Sequence, residues 1–275
     1  YGNPPIIQDV YTRYHNYASR LGLTTEGQKR STHFAILLLT MTGQLESMER
    51  LLEYYSSAPL EHIREVFTHI CVNTLRRFCQ SEIVQRTTSE VAQYYCSRLL
   101  VDGAIPTDKH ILQRVDAICQ EVSSTGGVTL SLHKHKLNLH TIEGVKHSYI
   151  WPMNILNAEQ YCADRLSFCA MVNGNIHADT ILVNPENLEA CLYDYSLIGH
   201  GPMLYDYAML ETMLKFQLLG RMSLAERFAL ENHLNDMSSL NITIVKDGLS
   251  PELQRALTCI ERIRFHAARL RPDVD

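Results

Sequence analysis

The sequence predicts an α+β domain, mainly helical with short β-hairpins. Two observations carry this: apolar residues recur at helical intervals from Glu46 onward, and a short block after Gly126-Gly127 switches to strict alternation. A third is the stretch 166–216, where two short apolar runs are separated by polar, Asn- and Gly-containing loops before helical spacing resumes.

Taken in order, Ile6/Ile7, Val10, Tyr14, Tyr17 and Leu21 fall at helical spacing behind Pro5. Tyr1, Tyr11, Tyr14 and Tyr17 there suit half-buried packing more than a partner-binding face. Residues 22–30 are polar and predict a turn that includes Lys29, and 33–41 predict a buried strand ended by Thr42-Gly43. Leu60, Ile63, Phe67, Ile70, Thr74 and Phe78 follow behind Pro59 with i, i+3, i+7 spacing; Val91, Tyr94/Tyr95 and Leu99 form a second segment, and Ile111, Val115 and Ile118 a third. Val128, Leu130 and Leu132, then Leu137 and Leu139, predict a two-stranded hairpin. Residues 166–172 predict a strand, and 203–219, 223–236 and 250–269 three helices.

Apolar residues make up 45% and charged residues 20% of the chain, an ordinary balance for a protein that buries a core. The net charge of -5 disfavours nucleic acid as a partner. The run 34–41 is far shorter than the roughly 20 residues a membrane helix needs. Eight cysteines, with no Cys-x-x-Cys pair, read as small buried hydrophobes of a reducing compartment, so the cytoplasm is the expected setting. His133, His135, His140 and His147 crowd the hairpin, with 133 and 135 expected on one strand face, and read as exposed side chains rather than a zinc site. Arg262, Arg264, Arg269 and Arg271 read as the solvated side of the last helix.

The motif-bearing segment runs from Met171 to Phe216: an Asn-Gly-Asn-Ile-His-Ala-Asp-Thr loop, an apolar strand, a turn, a second strand ending Tyr-Asp-Tyr, then Gly-His-Gly and a helix opening with Asp206. This cadence resembles the kinase-like small-molecule phosphotransferases of the aminoglycoside and choline kinase type, with His-Gly-Asp-Leu-His-x-x-Asn and Ile-Asp-Phe/Trp motifs. It is most similar to the kinase-like modules of bacterial conflict-system proteins, whose D-[FY]-x-x-x-G-x-G…D-[FY]-A-x-L-E…K-F ending is matched by YDYSLIGHGPMLYDYAMLETMLKF.

The resemblance implies a protein-kinase-like C-lobe with the N-lobe largely missing or truncated: residues 1–45 a remnant of N-lobe and hinge, 46–275 the helical C-lobe with a hairpin insertion near 128–142. The chain opens at Tyr1 without an initiator Met, so further polypeptide is expected upstream, where a complete kinase carries its Gly-rich loop and strand lysine. It also implies roles. Asn173 falls where the first His is usual, and Asn175 on the catalytic Asp. His177 falls on the second His and Thr180 on the Mg²⁺-binding Asn. Asp194 falls on the metal-binding Asp, and Asp206 on the carboxylate that braces the loop. The candidate catalytic residues are therefore Asn175, His177 and Asp194, with Thr180 and Asp194 facing cofactor and Asp194 the metal.

An amide at 175 cannot accept a proton near neutral pH, and a hydroxyl at 180 is a poorer ligand for a hard cation than an amide carbonyl. The expectation is a catalytically impaired, kinase-like module of a larger signalling or defence protein, with Mg-ATP bound weakly or not at all. Its partner would be another protein or other domains of the same polypeptide. The alternatives are an active ATP-dependent phosphotransferase in which His177 or Asp179 relieves the need for Asn175, and a helical adaptor without a nucleotide role.

Overall fold

A computed structural model describes residues 24–30, 35–40, 47–80, 82–98, 128–133, 136–141, 146–150, 166–194, 197–219, 222–235, 240 and 248–270, with scattered positions between 113 and 124. The architecture is mixed α+β. Residues 1–84 and 168–275 gather into one unit and 85–167 into a second, and the second holds the hairpin residues expected near 128–142. The helices expected over 5–21 and around Ile111, Val115 and Ile118 lie outside the described residues.

The first unit opens on an antiparallel pair, β1 (Thr24–Arg30) and β2 (Ala35–Thr40). Lys29 is therefore not in a turn but on β1, opposite Ile36. The polar composition of residues 24–30 concealed the strand, because a pairing partner five residues on, Ala-Ile-Leu-Leu-Leu-Thr, overrides weak local propensity.

Next, β3 (Glu49–Arg50) leads into α1 (Leu51–Ser57), whose Leu51, Tyr54 and Tyr55 are buried at i, i+3, i+4. Pro59 then separates α1 from α2 (Leu60–His69), holding Ala58 extended because its ring disfavours a helical residue before it. Ile63, Val66 and Phe67 form the buried stripe of α2, which Ile70 continues. The chain continues through a π-helical stretch, Ile70–Leu75, into α3 (Arg76–Cys79), and β4 (Val84–Thr87) follows in sequence. The wider π turn rotates the stripe, so Cys71, Leu75, Phe78 and Cys79 are buried while Thr74 sits half-exposed.

Against α2 packs α7 (Pro251–Ala267), with Ser250 as N-cap and Pro251 in the first turn. Small residues on its inner face, Ala256 and Cys259, are fully buried and let the two helices approach. Arg255 ties α7 to the end of α1: its Nη1 donates to the carbonyls of Tyr55 and Ala58, both at 2.7 Å, and its guanidinium lies 5.5 Å from the centre of the Tyr55 ring.

Ahead of α7 come α5 (Tyr205–Met213), a second π-helical stretch (Leu214–Leu218) and α6 (Leu224–Asn235). The arginines of α7 are not simply a solvated face. Arg264 makes a two-pronged contact with Glu211 of α5 at 2.8 and 2.9 Å, and Lys215 reaches the same carboxylate at 3.2 Å. Arg269 stacks 3.4 Å over the Phe265 ring, and Arg271 lies outside the described residues. Cys71, Cys79, Cys169 and Cys259 are buried thiols, and Cys191 is half-buried; burial pushes the Cys191 thiol up to about 11.

The second unit contains α4 (Thr88–Arg98) and a three-stranded antiparallel meander, β5 (Val128–His133), β6 (Lys136–Thr141) and β7 (Lys146–Ile150), one strand more than expected. In register, Thr129, His140 and Lys146 share one row, and Leu130, Leu139 and His147 the next. Thr129, Ser131, Lys146 and Ser148 are exposed. His133 ends its strand opposite Lys136, and the expectation for residue 135 lies outside the described residues.

Two outcomes follow. Arg255→Ala should lower the unfolding free energy by about 1–3 kcal/mol in urea titrations, because two carbonyls lose a charged donor; Arg255→Lys should lose part of that. Burial alone would raise the Glu211 carboxyl, but Arg264 and Lys215 hold it below its usual range. A depressed carboxylate contributes stability present above its unfolded value, about 4.3, and lost as pH falls through the folded value. The gap between wild type and Glu211→Gln, about 1–3 kcal/mol at neutral pH, should therefore hold down to about pH 4.3, narrow as the pH falls further and be gone below the folded value.

Candidate functional site

The site begins at the end of β8 (Leu166–Val172). Cys169, Ala170, Met171 and Val172 are all buried, so the strand's last residues are fixed, and β11 (Gly199–Pro202) pairs antiparallel along them, Val172 opposite Gly199. Gly199 and Gly201, which precede the helix in the motif, are strand residues here.

Past Val172 the backbone turns, and Gly174 takes φ +77°, a conformation that costs any side chain. The two N–H groups at this corner point at one carboxylate: Asn173 N–H donates to Asp206 Oδ2 at 2.6 Å and Gly174 N–H to Asp206 Oδ1 at 3.0 Å. Asp206 has no exposed surface, and it sits in the first turn of α5, where the helix N-terminus favours a negative charge. The contact joins positions 33 and 32 residues apart and fixes the loop to the helix beneath it.

Asn173 is also fully buried. Its Nδ2 donates to the Asp194 carbonyl at 2.8 Å and its Oδ1 accepts the Asn175 N–H at 3.0 Å. Asn175 Nδ2 then donates to Asp194 Oδ2 at 2.6 Å. Residues 173, 175 and 194 are thereby closed into one ring of contacts.

The rest of the loop is anchored from below. Ile176 and Ala178 are buried, and Ala178 N–H donates to Gln217 Oε1 at 2.8 Å. The turn Ala178–Thr180 is closed by Thr180: its hydroxyl accepts the His177 N–H at 3.2 Å and lies 2.9 Å from the His177 carbonyl and 3.2 Å from that of Asn175. His177 is half-buried at the head of this turn.

Asp194 is delivered by the β9 (Ile181–Val183) and β10 (Ala190–Leu192) hairpin, through Tyr193, whose N–H donates to the Thr180 carbonyl at 3.2 Å. The hairpin is held at its far side by β3 against β9 and by His69, whose Nδ1 accepts the Ala190 N–H at 3.2 Å. Burial lowers the His69 pKa and so favours the neutral ring, and the Ala190 N–H selects the tautomer that leaves Nδ1 as acceptor.

Asn173, Asn175, Thr180, Asp194 and Asp206 thus lie together. Asp179 does not: it is exposed, its side chain 3.9 Å from Arg50, and its carbonyl accepts the Tyr193 hydroxyl. Sequence reading missed Gln217, Tyr193 and Arg50. Tyr193 stood beside the motif, but nothing in a helical Lys-Phe-Gln run marks Gln217 as a backbone partner.

The donor set suits an amide–carboxylate contact rather than a divalent cation. A hard cation asks for about six oxygens; here an Asp194 oxygen accepts an amide N–H and the Thr180 hydroxyl is turned into its own turn. Among the described residues, no three His, Cys, Asp or Glu side chains come together in a metal-holding group.

Removing the brace should be costly. Asp206→Ala leaves two buried N–H groups without an acceptor and should destabilise by about 2–5 kcal/mol in chemical unfolding; Asp206→Asn, which keeps one acceptor oxygen, should cost less. No protein family, curated protein or solved structure matches this chain.

Proposed function

We propose that the chain is a catalytically impaired kinase-like domain serving as an interaction or regulatory module of a larger signalling or defence polypeptide. The observation that carries this reading is the 2.6 Å contact from Asn175 Nδ2 to Asp194 Oδ2, inside a loop fastened by Asp206. A phosphotransferase needs a carboxylate at 175 to orient a hydroxyl and accept its proton, and a metal-bound carboxylate at 194 to offset phosphate charge. Here the first is an amide, and the second is engaged by that amide. The brace remains because its work is structural.

Binding to another protein, or to other parts of the same polypeptide, is supported by apolar side chains left at the surface of this unit: Leu197, Leu204 and Phe216, the last 71% exposed. No helix among the described residues is long and apolar enough to cross a membrane. The buried thiols are in keeping with a cytoplasmic setting.

Phosphate transfer from ATP to small hydroxyl compounds should stay at background, and transfer abolished by Asp194→Ala would overturn the reading. Millimolar Mg-ATP should stabilise the chain by no more than about 0.4 kcal/mol, the gain when Kd equals the ligand concentration, as read by thermal unfolding.

A further inference from the structure

We infer that the Asn175 amide stands in for a divalent cation as the counter-group of Asp194, so that this loop closes without metal. The inference rests on the kinase-like reading for what the position would otherwise hold; its physical basis is the ring of contacts itself.

In that ring every donor meets an acceptor. Asn173 Nδ2 serves the Asp194 carbonyl, Asn173 Oδ1 takes the Asn175 N–H, and Asn175 Nδ2 serves the Asp194 carboxylate. The 2.6 Å separation is that of a charge-assisted hydrogen bond, stronger than one between neutral groups. A cation beside Asp194 would require the Asn175 amide to turn its oxygen inward, breaking this bond.

Thr180 offers no replacement ligand, since its hydroxyl bonds with the backbone of residues 175 and 177. The amide also does part of what a cation does. It places partial positive charge against the carboxylate and pins 175 to 194 across 19 residues of sequence, while adding no net charge.

One substitution reverses the logic. Asn175→Asp sets a second carboxylate against the first, and two like charges in contact repel unless a proton or a cation lies between them. The wild-type loop should be indifferent to Mg²⁺ and the variant dependent on it.

The test is thermal unfolding of the full 275-residue chain at neutral pH, without nucleotide, in EDTA and in millimolar Mg²⁺. Wild type should unfold at the same temperature in both. Asn175→Asp should fall by roughly 2–6 °C in EDTA and regain most of it in Mg²⁺. Asn175→Ala, which removes the amide and adds no charge, should fall in both buffers without recovery.

Wild-type stabilisation by Mg²⁺, or an Asn175→Asp variant as stable as wild type in EDTA, would overturn the inference. Should that variant not fold in either buffer, calorimetric titration of wild type with Mn²⁺ decides: no heat of binding is expected, and saturable binding would overturn it. Because no sample contains nucleotide, this result is independent of the phosphate-transfer assay; metal indifference together with transfer would remove the proposed function and leave the loop chemistry standing.

Discussion

Two backbone N–H groups at the end of a buried strand have no further strand to pair with, and the Asp206 carboxylate takes both. A buried donor left unpaired costs as much as a lost hydrogen bond, so the corner at Asn173-Gly174 depends on that carboxylate being where it is. Its position depends in turn on α5, and α5 on the core: Tyr207 donates to the Cys71 carbonyl, and Glu211 is gripped by Arg264 of α7. A chain of contacts therefore runs from the packed helices to the loop, each link set by a polar group that cannot be buried alone.

The same accounting explains why the loop needs so few apolar contacts of its own. Ile176 and Ala178 are its only fully buried apolar side chains, and the remainder of its order comes from hydrogen bonds to Asp206, Asp194, Gln217 and its own Thr180. Satisfied networks of this kind specify one conformation more sharply than they add stability. A loop built this way holds its shape whether or not it does chemistry. That separates the persistence of the scaffold from the persistence of an activity.

Charge is handled locally throughout. Asp194 meets an amide and Asp206 meets backbone dipoles, while Glu211 meets two cations. The helices around the site carry their apolar load on α2 and α7, where Phe67, Ile63, Ile260 and Ile263 are buried, so the polar ring at the strand end sits on a rigid base. The exposed Phe216 and Leu204 flank α5, the helix that carries the brace.

Local pattern determined a good deal of this. Strand β8 and the helices over 205–218, 224–235 and 251–267 follow from apolar periodicity, because strand alternation and helical repeat are properties of neighbouring residues, whereas the meeting of residues 173, 175, 180, 194 and 206 was implied only by the resemblance of their motif. Other features were decided only by tertiary structure. Thr24–Arg30 is a strand because an apolar partner pairs with it, and Gly199–Pro202 because β8 offers an open edge. Arg264 leaves solvent because Glu211 arrives from another helix, and Gln217 becomes part of the site because a backbone N–H 39 residues away needs an acceptor. Sequence fixes what each group is able to bond with; which partner it meets depends on segments far along the chain, whose approach no local pattern encodes.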